Sequence, residues 1–196
     1  YLLLGIIITL IYGNYKIHEP PTTPHEPRYK ISVIQGNISQ ELKWNANSRD
    51  FIMDKYSALT YEALKDRPNL IIWPEASLPV VLEEVPVFFE RIKEFVKENK
   101  VPLLLGAVTR QNKFYYNSAL LISRKGELLN KYDKLHLVPF GEYIPLRKIF
   151  SFLETVAPIG DIAPGKEYTV FSLSRLVNNE PTSQRANEPT KFAVLI

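Results

Sequence analysis

Asn69-Leu70-Ile71-Ile72-Trp73-Pro74-Glu75-Ala76-Ser77 (NLIIWPEAS) is the stretch on which the fold turns. Residues 69–73 make a short apolar run, Pro74 ends it, and a carboxylate follows at once. An uninterrupted run of this length reads as a strand buried on both faces, since a half-wet strand would alternate apolar and polar positions. Proline stops the pairing because it has no N–H to give to a ladder. A strand of this kind needs cover on each side, so its flanking segments decide the architecture.

Upstream, residues 48–65 predict a helix: Ser48 stands where an N-cap would, and Ile52, Tyr56, Leu59 and Ala63 fall on one face. Downstream, residues 86–99 predict a second helix, with Phe88, Ile92, Phe95 and Asn99 spaced by three or four. Residues 29–35 (YKISVIQ) and 101–108 (VPLLLGAV) read as further strands. Residues 114–122 and 127–131 flank Ser123-Arg124-Lys125-Gly126, a hairpin turn signal, and residues 167–173 and 191–196 add two more strands. The order strand–helix–strand–helix–strand followed by strand pairs defines an α/β fold, with helices on one face of the sheet and something apolar on the other.

The ends differ from this body. Residues 1–12 (YLLLGIIITLIY) carry no charge. As a helix they would span about 18 Å at about 1.5 Å per residue, against the roughly 20 residues a bilayer core requires. They read as the end of a transmembrane helix. A signal-peptide apolar region, lacking a basic start and a small-residue cleavage site, and a buried core element are the alternatives. Residues 13–28 hold Pro20, Pro21, Pro24 and Pro27 and read as a semi-rigid linker, leaving residues 29–196 as the domain. Within it, residues 174–190 are polar, free of aromatics, and contain Asn-Glu-Pro-Thr twice, the mark of a solvated insertion.

Composition narrows the chemistry. The chain has 196 residues, 45% of them hydrophobic, with a net charge of +3 and no cysteine. Disordered, collagenous and coiled-coil chains are excluded, and the charge is too small to imply a nucleic-acid partner. No disulfide framework, thiolate metal site or cysteine nucleophile exists within these residues.

Three segments could carry chemistry. In the first, Glu75 follows the C-terminal end of a buried strand, where α/β sheets build their sites. Trp73 can shield it from water, which favours the protonated carboxyl and suits a base; the alternative is a solvated loop glutamate. The second, residues 132–145 (YDKLHLVPFGEYIP), sets Asp133, Lys134, His136 and Glu142 among apolar residues. A partly buried Lys134 can hold a fixed positive charge near an oxyanion, but Lys134 and Glu142 are eight apart, so only a folded-back loop could join them. His136 reads as a hydrogen-bonded core histidine, and His18, His25 and His136 show no zinc-ligand spacing. The third, residues 35–44 (QGNISQELKW), is either a pocket wall or a structural loop anchored by Trp44. Ser77, Ser118 and Ser123 are candidate hydroxyl nucleophiles, with nothing in the sequence to set His136 against them.

Together QGNISQELKW, IIWPEAS and YDKLHLVPFGEYIP, in this order, resemble the nitrilase (carbon–nitrogen hydrolase) superfamily and, more narrowly, its apolipoprotein N-acyltransferase branch. The resemblance covers residues 29–196. It implies a four-layer αββα sandwich, here preceded by the end of a transmembrane helix, and a Glu–Lys–Cys triad. By motif, Glu75 would be the general base, Lys134 the oxyanion-stabilising lysine, Glu142 the second glutamate of the family's loop, and Trp44 a substrate-pocket residue. The family places its cysteine just after a strand like Phe192-Ala193-Val194-Leu195-Ile196, so the residue following Ile196 is expected to be cysteine, and these residues alone are expected to be inactive. The implied reaction transfers an acyl chain from a phospholipid donor to a diacylated lipoprotein, without a cofactor, at the bacterial inner membrane with the domain facing the periplasm. A soluble amidase of the same superfamily and a non-catalytic membrane-tethered domain are the rival readings.

Overall fold

β2 (Leu70–Ile72), the strand read from NLIIW, lies second in a five-stranded sheet whose strands follow one another in chain order. The computed structural model describes residues 2–18, 29–43, 45–78, 80–139, 141–143, 162–172 and 191–194. β1 (Ile31–Val33) and β3 (Leu103–Gln111) flank β2, and both pair with it in parallel. β4 (Phe114–Ile122) and β5 (Leu128–Asp133) continue the sheet as antiparallel hairpins. Parallel neighbours require crossovers, and helices supply them. The short α2 (Gln40–Lys43) and the long α3 (Arg49–Leu64) lie between β1 and β2, and α4 (Pro86–Asn99) between β2 and β3.

Both long helices cover one face. Ile52, Met53 and Tyr56 of α3 and Phe88, Ile92 and Phe95 of α4 form a core with Ile71, Trp73, Leu103, Leu105, Leu120 and Ile122. Alternation sends Leu70, Leu104, Ala119, Leu121 and Tyr132 to the other face, where they meet Phe171. Phe171 belongs to β6 (Val170–Ser172), which pairs antiparallel with β7 (Lys191–Ala193), and it stacks on Phe192 at 5.3 Å. Helices, main sheet and second sheet are three layers of an α/β sandwich; the expectation of a fourth, helical layer falls outside the described residues.

Several local expectations are corrected. Ser48 makes no side-chain cap: it closes a 3-10 turn (Ala46–Ser48) with helical backbone, so its hydroxyl does not meet the free N–H groups of α3. The buried stripe of α3 is turned toward Met53 and Thr60, leaving Leu59 and Ala63 half-buried. The turn between β3 and β4 was not foreseen; it is carried by Asn112 at φ 56°, a left-handed position that Asn tolerates. The predicted hairpin turn is present, with Gly126 at φ 77°. One irregularity interrupts the second hairpin: Leu121 pairs with Asn130 but Ile122 with Leu128, so Leu129 is an extra residue on β5.

At the start of the chain, α1 (Leu2–His18) has 17 residues, none buried. It continues past Tyr12 into residues expected to be linker. Among the described residues no helix is long and apolar enough to cross a membrane. Most of the proline-rich stretch and the insertion at 174–190 lie outside the described residues.

Candidate active site

Glu75 is positioned by a turn laid against β3. Pro74 O accepts from Gly106 N–H at 3.3 Å, and Gly106 O accepts from Ser77 N–H at 3.0 Å and from Ser77 Oγ at 2.8 Å. Ala76 takes φ 46° to close the turn. The approach needs a glycine: a Cβ on Gly106 would come within 2.6 Å of Glu75 Cα and 2.7 Å of Pro74 O. The missing side chain at position 106 is therefore what lets the turn lie down and aim Glu75 across the sheet.

Two further members come from strand ends. β5 ends at Asp133, and the ladder takes one more step as Lys134 N–H donates to Asn117 O at 2.8 Å. Alternation then sets Asn117 and Lys134 on the same face as Ala119 and Tyr132, the face toward the second sheet. Glu142 arrives by the folded-back loop: its N–H donates to Val138 O at 2.9 Å, and its Oε2 accepts from Val138 N–H at 2.8 Å.

These four side chains meet. Lys134 Nζ lies 3.0 Å from Glu75 Oε1 and 3.2 Å from Glu142 Oε1. Asn117 Nδ2 donates to the same two oxygens, at 2.5 and 2.8 Å. Two carboxylates thus share one ammonium and one amide. The Lys134 side chain is only 8% exposed and that of Glu142 15%, whereas Glu75 is 43% exposed. Burial by itself would lower the Lys134 ammonium, but hydrogen bonds and charge from Glu75 and Glu142 outweigh it and hold its pKa above the usual lysine value. Burial likewise pushes the Glu142 carboxyl up, yet Asn117, the Val138 N–H and Lys134 together pull it below the usual carboxylate range. Glu142 and Lys134 are therefore a fixed ion pair, and Glu75 is the member open to an incoming group. A carboxylate able to take a proton beside a permanent positive charge suits acyl chemistry through a tetrahedral intermediate.

The structure brings Glu75, Lys134 and Glu142 together as a cluster. Trp44 lies outside the described residues. Trp73 does not shield Glu75: it is 2% exposed on the helix side, stacked on Tyr56 at 5.0 Å and donating Nε1–H to Thr60 Oγ1 at 2.9 Å. Trp73 keeps the helix-side alternation of Ile71, and the turn that begins at Pro74 takes Glu75 out of that alternation to the other face. His136 is exposed, not a core histidine, because the loop turns its ring outward after Lys134. None of the three serines joins the cluster: Ser77 is bonded to Gly106, Ser118 to Asp133, and Ser123 holds the hairpin turn through the N–H groups of Lys125 and Glu127. Among the described residues no group of His, Cys, Asp and Glu is arranged to hold a metal ion. Asn117 is the residue sequence reasoning missed. Its signal was an amide inside a strand whose following residues, Ala119 to Ile122, are all apolar and buried.

The carbon–nitrogen hydrolase family model matches residues 30–177, and the chain belongs to that family. Among curated proteins it is similar to the apolipoprotein N-acyltransferase of Geobacter metallireducens, 34% identical over 180 residues, covering 89% of this chain and 34% of that protein. It is also similar to the apolipoprotein N-acyltransferase of Brucella suis, 40% identical over 132 residues, covering 63% of this chain and 24% of that one. The chain thus spans about a third or less of the length of these relatives. Among solved structures, the NitN amidase shares 18% identity at TM-score 0.54, covering 74% of this chain and 53% of that one. A variant of the amidase from Nesterenkonia sp. AN1, with the acetamide moiety of fluoroacetamide added at its active-site cysteine, shares 16% identity at TM-score 0.55, covering 78% and 54%. At these identities the structural likeness shows the fold alone.

Proposed function

We propose that this chain is the catalytic domain of an apolipoprotein N-acyltransferase, which moves a fatty acyl chain from a glycerophospholipid to the N-terminal diacylglyceryl-cysteine of a lipoprotein. The observation that carries the proposal is the buried Lys134 ammonium held between Glu142 and the more open Glu75. The relatives' name, apolipoprotein N-acyltransferase, supports a lipoprotein acceptor.

In this reading the nucleophile is a cysteine thiol following the strand that begins at β7. Glu75 takes the thiol proton, and the thiolate attacks the ester carbonyl of the donor lipid. Lys134 stabilises the tetrahedral oxyanion. The carbon–oxygen bond breaks, Glu75 returns the proton to the departing oxygen, and lysophospholipid leaves a thioester behind. The acceptor's α-amino group then attacks, gives its extra proton to Glu75, and the carbon–sulfur bond breaks to restore the thiol. Glu142 keeps Lys134 charged throughout and moves no proton. Splitting the transfer in this way predicts ping-pong kinetics. Trp44 serves the substrate pocket. Leu135, Leu137 and Val138 on the loop before Glu142 suit a long-chain substrate. The exposed apolar α1 is consistent with a domain held at the bacterial inner membrane and facing the periplasm.

The test is to incubate the full-length protein with labelled phospholipid and trap the thioester, comparing wild type with Glu75→Gln. A thioester that forms in wild type and is lost in the variant supports the proposal. Hydrolysis of small amides with no lipid-derived thioester would move the assignment to a soluble amidase of the same family.

A further inference from the structure

Strand alternation sets a second group of polar side chains back to back with the Glu75–Lys134 cluster. Ser118 follows Asn117, and Asp133 precedes Lys134, so both turn to the helix side of the sheet. There Ser118, wholly buried, donates its hydroxyl proton to Asp133 Oδ1 at 2.6 Å. Thr109 Oγ1 lies 2.7 Å from Ser118 Oγ. Lys131 Nζ reaches Asp133 Oδ1 at 3.0 Å and Thr109 Oγ1 at 3.3 Å.

The donors fix the direction of every bond. Ser118 spends its one proton on Asp133, so Thr109 must donate to Ser118, and Lys131 must donate to Thr109. Lys131 also donates to Asp133, which closes the ring. Each hydroxyl donates once and accepts once, and the two charges cancel. A closed, satisfied ring of this kind is rigid, whereas a half-satisfied one would be costly. Ser118 and Thr109 are too deeply buried, at 0% and 2% exposure, to meet a substrate.

We propose that this ring is a positioning device for the site on the other face. It locks β4 to β5 at the Ser118–Asp133 step, and the neighbouring step is the one from which Asn117 and Lys134 project. Gly165 holds the same point from a third side: its N–H donates to Lys134 O at 2.8 Å and its Cα packs on the Asp133 carbonyl. Ser118 and Asp133 act through Asn117 and Lys134 and never touch substrate. The inference rests on the reading of Glu75 and Lys134 as the working pair.

Loss of the lock would let Lys134 drift from Glu142. The charged and polar groups facing Glu142 are Lys134 from the end of β5, Asn117 from β4, the Val138 N–H of its own loop and, across Lys134, Glu75 from the turn. With Lys134 displaced, Glu142 would take up a proton at higher pH. A protonated Glu142 no longer fixes Lys134 beside Glu75, so the acidic limb of the rate profile would move upward.

Ser118→Ala and Asp133→Asn in the full-length protein, assayed for acyl transfer across the acidic range with melting temperature recorded, test this. Both should lower kcat about ten- to hundredfold, leave KM for the lipid donor unchanged, and shift the acidic limb to higher pH. Variants that melt earlier but keep the wild-type kcat per folded molecule and the wild-type pH profile would overturn the proposal. If Ser118→Ala does not fold, the near-isosteric Asp133→Asn decides alone. Glu75→Gln runs beside them: full activity there would sink the reading of the site, whereas a dead Glu75→Gln with unshifted ring variants would sink only the ring.

Discussion

Glu75 Cα stands directly over Gly106, so close that a Cβ at position 106 would approach it to 2.6 Å. The obstacle is backbone throughout, with Pro74 O at 2.7 Å and Ala76 N at 2.9 Å, so no side chain can swing away to make room. Gly106→Ala should push the Glu75 turn off the sheet. Stability should fall by about 1–3 kcal/mol, the usual penalty for overpacking, and acyl transfer should fall further than stability explains. Wild-type kcat in Gly106→Ala, measured on folded protein, would show that the turn has freedom the packing denies it.

Glu75→Gln should leave the fold intact, because the side chain is the most open of the cluster and glutamine can still accept from Asn117 and Lys134. Loss of the proposed general base should cost about 10²–10⁴ in rate. A trapped-thioester assay reads this directly, and near-normal thioester formation would remove Glu75 from its role.

On the proposed mechanism each half-reaction passes through an oxyanion, so Lys134→Met should fail in both, at a cost of about 3–4 kcal/mol in the barrier. Single-turnover measurement of thioester formation, then of transfer to a lipoprotein amine, separates the steps. Normal first-step kinetics with a stalled second step would give Lys134 a different task.

The same pair predicts a window of pH stability. Burial raises the Glu142 carboxyl, but Asn117, the Val138 N–H and Lys134 bring its folded pKa below the ordinary 4.5. Its contribution is therefore complete above 4.5 and disappears as pH falls through the lower folded value. Lys134 is lowered by burial but raised more by Glu75 and Glu142, to a folded pKa above 10.5. Its contribution is complete below 10.5 and is lost as pH rises through that higher value. Denaturant unfolding of wild type and Lys134→Met should show a stability gap that is widest between these limits and narrows beyond each. A gap independent of pH would contradict the ion-pair assignment.

Trp73→Phe separates core from site. It removes the bond to Thr60 and part of the Tyr56 stack, and should cost about 1–3 kcal/mol in stability. The kcat of the folded fraction should not change, because Trp73 packs on the helix side. A selective loss of kcat would return Trp73 to the site.

Much of this was legible beforehand. The apolar run at 69–73, the helical spacing of Phe88, Ile92 and Phe95, and the turn signal at 123–126 each report a local preference that tertiary packing preserved. Glu75 could be singled out because it follows the end of a buried strand, Lys134 and Glu142 because they stand among apolar residues, and the family resemblance supplied their expected roles. Their meeting could not be read, since it depends on a turn lying against β3 and on a loop folding back over eight residues. Trp73 was misassigned because nearness in sequence was taken for nearness in space, while the turn that begins at Pro74 carries Glu75 off the face on which Trp73 packs. Asn117 stayed hidden for the complementary reason: its partners are distant in the chain, and only the β4–β5 register shows that it stands beside Lys134.

The extra residue at Leu129 bears on how this protein can change length over evolutionary time. The hairpin has already absorbed one residue near its turn, and pairing from Asn130 onward is regular. Insertions and deletions between Gly126 and Leu129 therefore spend themselves on the loop side of that irregularity. Between Asn130 and Lys134 the arithmetic is different, because a shift of one residue exchanges the two faces of the strand. Asp133 would then point among the site carboxylates, and Lys134 would enter the helix-side packing. Lineages of this domain should accordingly vary in length on one side of Leu129 and hold a constant count on the other, even where the residues themselves diverge.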